Sequence, residues 1–325
     1  MVLNKNFRIR KMLLAKKIKL YIIVIFTIIL NIQNLNAFEN KILFKIDNEI
    51  ITTIDIYEEI KFLKVFNPEI NSLSDVELFE ISKNSLIKDK IKKIEIMKFV
   101  RELKVDDKFL LKLIERKYSR LNINSIKNFE KYLKKENLNI EIVKKKFIIE
   151  LMWNDLIYQK FSKKVVIDKE RIKNEISQNS QKKFQKEFLL SEIVFNVANK
   201  DEFNNKYQKI LLDIEKVGFK KTALIHSNSD TATNGGLIGW VKEVNLNNNL
   251  KKIISELKPG QFSKPVRTSS GFIIIKIDDE KEYVSKFNLA DKIDEMTRFK
   301  TNEQLNQFSN MYLNKLKKNL IIYGL

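Results

Sequence analysis

Glycine and proline are distributed so unevenly that they divide the chain before any other pattern is considered. No glycine occurs before Gly218, and Pro68 is the only proline in that stretch. Five of the seven glycines then fall between Gly235 and Gly271, together with Pro259 and Pro265. A chain without these residues has few sites for tight turns or left-handed backbone, so residues 38 to about 180 should form long helices. Residues 183–282 should hold strands and turns, and residues 283–325 should return to helix. The expected class is α+β: a helical domain with a smaller α+β domain inserted into it.

The first 37 residues read as a targeting segment. Lys5, Arg8, Arg10, Lys11, Lys16, Lys17 and Lys19 precede the apolar run Leu20–Leu30, and Leu35-Asn36-Ala37 follows. Eleven apolar residues are too few for a helix spanning a bilayer, which takes about 20, but they fit a signal-peptide core. An uncleaved anchor with a tilted helix from Leu20 to Leu35 is the second reading. Either places the rest of the chain outside the cytoplasm.

That segment contains no acid, so part of the formal charge of +20 belongs to it. The remaining lysines interleave with Glu and Asp instead of collecting on one face, which argues against nucleic-acid binding. Their excess implies weak attraction to acidic partners and anionic membrane surfaces. The absence of cysteine excludes disulfides, a cysteine nucleophile and thiolate metal sites, and a single histidine, His226, leaves little for a transition metal. No metal or cofactor is expected.

Along residues 38–182 the elements can be placed individually. Lys41–Ile46 reads as a strand and Asp47-Asn48-Glu49 as a turn, after which IDNEIITTID opens a helix capped by Thr52 and Asp55. Ser74 and Glu77 cap a second helix; Asp106/Asp107 and Ser125 start two more; a fifth runs from about Asn139 to Phe161; Asp168 begins a sixth. Their apolar stripes read as core, with part of that surface available as a groove for apolar peptide. In the insert, Glu187–Val197 reads as a buried strand. Helices follow at Lys200–Lys216 and Phe219–Ile225, then a polar loop His226–Asn234, a glycine loop around Gly235–Trp240 with Trp240 as core, a turn at Lys258–Gln261, and a strand at Phe272–Ile277. Leu320–Tyr323 reads as a closing strand whose nearest candidate partner is the lone strand at Lys41–Ile46.

No phosphate loop, HExxH, GxSxG or EF-hand pattern is present. What is specific is a composite: His226-Ser227, Gly235-Gly236-Leu237-Ile238-Gly239-Trp240, Leu257-Lys258-Pro259-Gly260-Gln261-Phe262, Pro265-Val266 and Ser270-Gly271-Phe272. This order resembles the parvulin family of peptidyl-prolyl isomerases. With the IDNEIITTIDI opening and the helices to about residue 180, the whole mature chain is similar to the SurA family of periplasmic chaperones. The resemblance implies a signal peptide at 1–37, a helical chaperone domain at 38–182, one parvulin-like domain at 183–282, and a C-terminal helix and strand at 283–325 completing the helical domain. It further implies a periplasmic folding factor for unfolded or nascent outer-membrane polypeptides. The alternative is an active isomerase with general periplasmic clients, anchored or free.

Carried over residue by residue, the family's substrate-facing loop position falls on Ser229, followed by Asp230. The prolyl pocket falls on Ile238, Leu246 and Leu250. The family's site serine and threonine fall on Ser270 and Thr268. Two histidines that brace the family's site are replaced, by Glu192 on the opening strand and Ile273 on the final strand. Isomerase activity is therefore an open question in the sequence, because the polar half of the site has changed chemistry.

Overall fold

The computed structural model describes residues 40–119, 121–179, 184–268, 271–284 and 288–324. The signal-type segment 1–37 and Ser270 lie outside the described residues. The fold is α+β.

Strand β1 (Ile42–Ile46) turns back into β2 (Glu49–Thr52), with Ile46 opposite Glu49. The two-residue turn is Asp47-Asn48, and Asp47 takes the left-handed conformation at φ 50°. This corrects the expectation that Glu49 belongs to the turn and that a helix follows directly. β-branched Ile50 and Ile51 extend the backbone before the helix cap at Thr52. Helix α1 (Thr53–Phe66) then starts on the expected reciprocal cap: Asp55 N donates to Thr52 Oγ1 at 3.2 Å, and Thr52 N donates to Asp55 Oδ2 at 2.7 Å.

The other helices of this half are α2 (Asp75–Ile96), α3 (Asp107–Ser119), α4 (Ile126–Lys135), α5 (Ile140–Phe161) and α6 (Lys169–Asn179). Ser74, Ser125 and Asn139 cap α2, α4 and α5. The apolar stripes meet in two cores. One gathers Phe62, Leu63, Ile81, Ile114, Phe129 and Phe147; the other joins Ile46 and Ile51 of the hairpin to Ile91, Trp153 and Leu313. Each fully buried residue of this kind contributes about 1.5–3 kcal/mol relative to exposure.

The chain then builds a four-stranded antiparallel sheet in the order β4-β3-β6-β5. Its strands are β3 (Phe184–Phe195), β4 (Leu237–Lys242), β5 (Val266–Thr268) and β6 (Gly271–Val284). Helices α7 (Lys200–Val217) and α8 (Phe219–His226) cover one face through Ile210, Phe219 and Ala223. Helix α9 (Asn248–Ser255) lies towards the other, with Leu246 and Ile254 packed on Phe188, Leu190 and Ile275. The segment Leu237–Trp240, expected in a glycine loop, belongs to strand β4. Trp240 is 40% exposed with the Lys281 ammonium 3.8 Å above its ring, so it is not core.

Helix α10 (Leu289–Asn319) runs 31 residues back to the first half, and β7 (Ile322–Gly324) pairs antiparallel with β1. The two lone strands anticipated in the sequence do find each other. α10 also packs on α6 through Met296, Ile172 and Ile176, and on the sheet through Phe299. Among the described residues, no helix is long and apolar enough to cross a membrane.

Candidate functional site

A cleft of 540 Å³ lies between the β4-β3-β6-β5 sheet and α10. Its floor is apolar: Leu190, Val241, Leu246 and Ile275 are each under 5% exposed. Ile238, Leu250 and Ile273 surround the mouth, Ile238 being 40% exposed. Glu192, Thr231, Arg267 and Thr268 supply a polar edge. The structure thus brings Ile238, Leu246, Leu250, Glu192, Ile273 and Thr268 onto one cavity.

Ser229 requires a correction. It is 2% exposed and does not reach the cleft. Its hydroxyl lies between Ser227 Oγ at 2.9 Å and Thr231 Oγ1 at 2.7 Å. Thr231 Oγ1 in turn donates to Glu192 Oε1 at 2.9 Å, and Ser227 Oγ accepts from Val194 N at 3.0 Å. The turn Asp230–Asn234 points Ser229 inward and Thr231 towards the cleft, because the backbone folds back on the sheet: Gly236 N donates to Thr231 O, and Glu192 N donates to Gly236 O at 2.8 Å. Gly236 is required there, since a Cβ would sit 2.2 Å from Glu192 O and the residue holds φ 78°.

Burial pushes the Glu192 carboxyl above the ordinary carboxylate range, against the hydrogen bond from Thr231, and the charge of Asp230 adds to the push. Asp230 itself faces away from the cleft. Its Oδ1 is 2.7 Å from Lys92 Nζ of α2, and its Oδ2 accepts from Ser309 Oγ of α10 at 3.0 Å. Trp153 Nε1 donates to that same Ser309 Oγ at 2.8 Å. The loop beneath the cleft is thereby held by the helical half. Asn67 Nδ2 donating to Thr233 O at 3.0 Å makes a second tie.

The wall contributed by α10 was not anticipated in the sequence. Phe299, Asn302, Glu303, Asn306, Gln307 and Asn310 line the cleft. Asn302, Asn306 and Asn310 recur every fourth residue, a spacing that puts three amides on one helix face. Asn310 Oδ1 is buried without a hydrogen-bond partner, and burial raises the Glu303 carboxyl above its usual range. A wall of amides can donate to and accept from a peptide backbone whatever its side chains are.

A second apolar concavity of 570 Å³ opens on the helical half between the α2–α3 connection and α5. Ile96, Phe99, Val105, Phe109, Leu151 and Met152 line it. Phe99 is 58% exposed and Phe109 69%.

Residues 188–279 match the rotamase family model described as the PPIC-type PPIASE domain. They are similar to a parvulin-type rotamase domain, and the chain that carries them is similar to SurA chaperones. A chaperone SurA of Hahella chejuensis is 34% identical over 90 residues, covering 27% of this chain and 21% of that protein. The foldase protein PrsA of Clostridium botulinum is 29% identical over 225 residues, covering 65% of this chain and 64% of the relative. A solved structure from work on two SurA-like chaperones of Campylobacter jejuni is 19% identical, covers 88% of this chain and 99% of that one, and has a TM-score of 0.34. This chain therefore spans less than two thirds of either curated relative.

The substitutions relative to the family's histidines can now be placed. Glu192 continues into the Thr231–Ser229–Ser227 hydroxyl chain, and Ile273 extends the apolar rim. His226 lies elsewhere, 6% exposed, with Nε2 2.5 Å from Asp213 Oδ2.

Proposed function

We propose that this chain is a periplasmic folding factor that holds unfolded polypeptides, outer-membrane proteins among them, and presents their X-Pro segments to the parvulin-type cleft. The observation that carries the reading is the cleft itself: an apolar floor wide enough for a proline ring, edged by Glu192 and Thr231 and walled by the amides of α10. Rotation about a peptide bond faces a barrier of about 18–20 kcal/mol. Lowering it needs no nucleophile. It needs a slot that seats the ring and a donor for the twisted amide. A carboxyl held above its ordinary range, as Glu192 is, can carry that proton nearer neutrality than a surface carboxyl does.

The groove around Phe99 and Phe109 supports the holding half of the reading. Apolar segments would be retained there by area burial, at about 25 cal/mol per Å², offset by the entropy of ordering them. A second reading, an isomerase that does not hold its clients, is favoured only by the Glu192–Thr231 edge.

Two assays on the full mature chain separate them. The folding-factor reading predicts suppressed aggregation of a denatured β-barrel protein at equimolar to severalfold excess, and absence of suppression refutes it. Acceleration of X-Pro isomerisation without suppression selects the second reading.

A further inference from the structure

A polar space of 160 Å³ sits where α2, α7, α8 and α10 converge, separate from the cleft. Lys88 of α2, Lys206 of α7 and Lys317 of α10 line it, with Asn84, His226 and Asn228.

The three ammonium groups have no carboxylate partner within ion-pair distance among the described residues. Lys88 Nζ donates to the carbonyl oxygens of Ser227 at 3.1 Å and Ser229 at 3.5 Å. Lys206 Nζ lies 3.1 Å from His226 Nδ1. The nearby acids are engaged elsewhere, Asp213 with His226 and Asp230 with Lys92. All three lysines sit below their ordinary pKa. Lys88 is lowered to about 8, chiefly by burial and further by Lys92 and Lys317, with Asp230 and Asp89 opposing. Lys206 is lowered by burial and by Lys209 and Lys317, opposed by Asp213 and Glu202; Lys317 is lowered by burial and by Lys83. His226 is lowered by burial, and Lys206 beside it acts in the same direction. Positive charge is thus concentrated around a polar space whose lining includes no carboxylate.

We propose that this cavity binds a small oxyanion, such as a phosphate or sulfate dianion, between Lys88, Lys206 and Lys317. The side-chain amides of Asn84 and Asn228 complete the donor set, and the neutral His226 leaves Nδ1 facing Lys206. The ligand joins the two ends of the helical half to the rotamase domain, because its three cations come from three separate segments. Its occupancy therefore stabilises their docking.

The test is thermal unfolding and isothermal titration of the full mature chain with inorganic phosphate, sulfate or glycerol 3-phosphate, against chloride at matched ionic strength. The site predicts a saturable rise in melting temperature for at least one of them. Inorganic phosphate or sulfate alone identifies a free oxyanion, and glycerol 3-phosphate alone a phosphomonoester. Lys88→Met and Lys317→Gln should each weaken binding at least tenfold, while Lys258→Gln in a remote turn should leave it unchanged. Lys317 is exposed, so its variant answers even if Lys88→Met fails to fold. Sulfate keeps its charge between pH 7 and 9, so its affinity should fall severalfold over that range as Lys88 loses its proton. No shift beyond chloride, or equal shifts in wild type and both lysine variants, overturns the proposal.

Discussion

Replacing Asp230 by Asn tests whether the rotamase domain is held to the helical half by the charge beneath its cleft. The carboxylate lies 2.7 Å from Lys92 Nζ, a gross attraction of about 6 kcal/mol at an effective dielectric of 20. Much of that is offset by desolvating Lys92, whose side chain is 11% exposed. Breaking a fully buried pair costs about 3–5 kcal/mol because one charge is left unpaired. Asp230's side chain is 34% exposed, so water screens part of the loss, and Asn keeps an acceptor for Lys92 and for Ser309. The expected cost is about 2 kcal/mol at pH 7. The sign of the pH dependence is fixed by the direction of the shift. Lys92 holds the Asp230 carboxyl below its ordinary range against burial. Its stabilisation is complete above the unfolded carboxylate pKa and disappears as pH falls through the folded one. Urea denaturation of the full chain at pH 7 and at acid pH measures both. Asp230→Asn with Lys92→Met should recover much of the loss, since no buried charge then remains. A cost under about 0.5 kcal/mol at pH 7, or one that persists undiminished in acid, refutes the reasoning.

Glu192→Gln should stabilise the chain at pH 7 and make no difference well below pH 4, because a carboxyl raised by burial favours folding only while protonated; thermal melts across pH check this. Lys146→Met removes the cation that lies 2.7 Å from Glu59, which is 2% exposed, and that also pairs with Asp89. It should cost about 3 kcal/mol at pH 7, shrinking towards acid pH as the raised Glu59 carboxyl takes a proton, measured by urea unfolding. Trp153→Phe loses the donor to Ser309 and part of the stacking on Tyr312, whose ring lies 5.9 Å away. A loss of about 1–3 kcal/mol is expected by chemical denaturation, without change in fold.

Local signals are legible in the sequence and non-local ones less so. The caps at Thr52, Ser74, Ser125 and Asn139 stand where side-chain chemistry demands them, since each satisfies orphan amides within three residues. The strand Glu49–Thr52 was hidden because its four residues run directly into a capping box, so a helix signal overlies a strand signal. Leu237–Lys242 was hidden by Gly239 within it and by Gly235 and Gly236 just before it, of which Gly236 permits a close approach to Glu192 of β3. Ser229 and Thr231 have similar chemistry, and only the turn geometry decides which one faces the cleft. The six cleft residues of α10 lie far in sequence from the sheet they face. Their Asn302–Asn306–Asn310 spacing is visible, but nothing local says what it meets.

The central claim, that the cleft and the helical groove contact unfolded polypeptide, is tested most directly by site-specific photo-crosslinking. A benzophenone amino acid at Leu250 in the cleft, at Phe109 in the groove and at Lys258 as a remote control would be irradiated with a denatured β-barrel client. Crosslinks at Leu250 and Phe109 well above Lys258 are predicted. Labelling at both positions no greater than at the control would contradict the account.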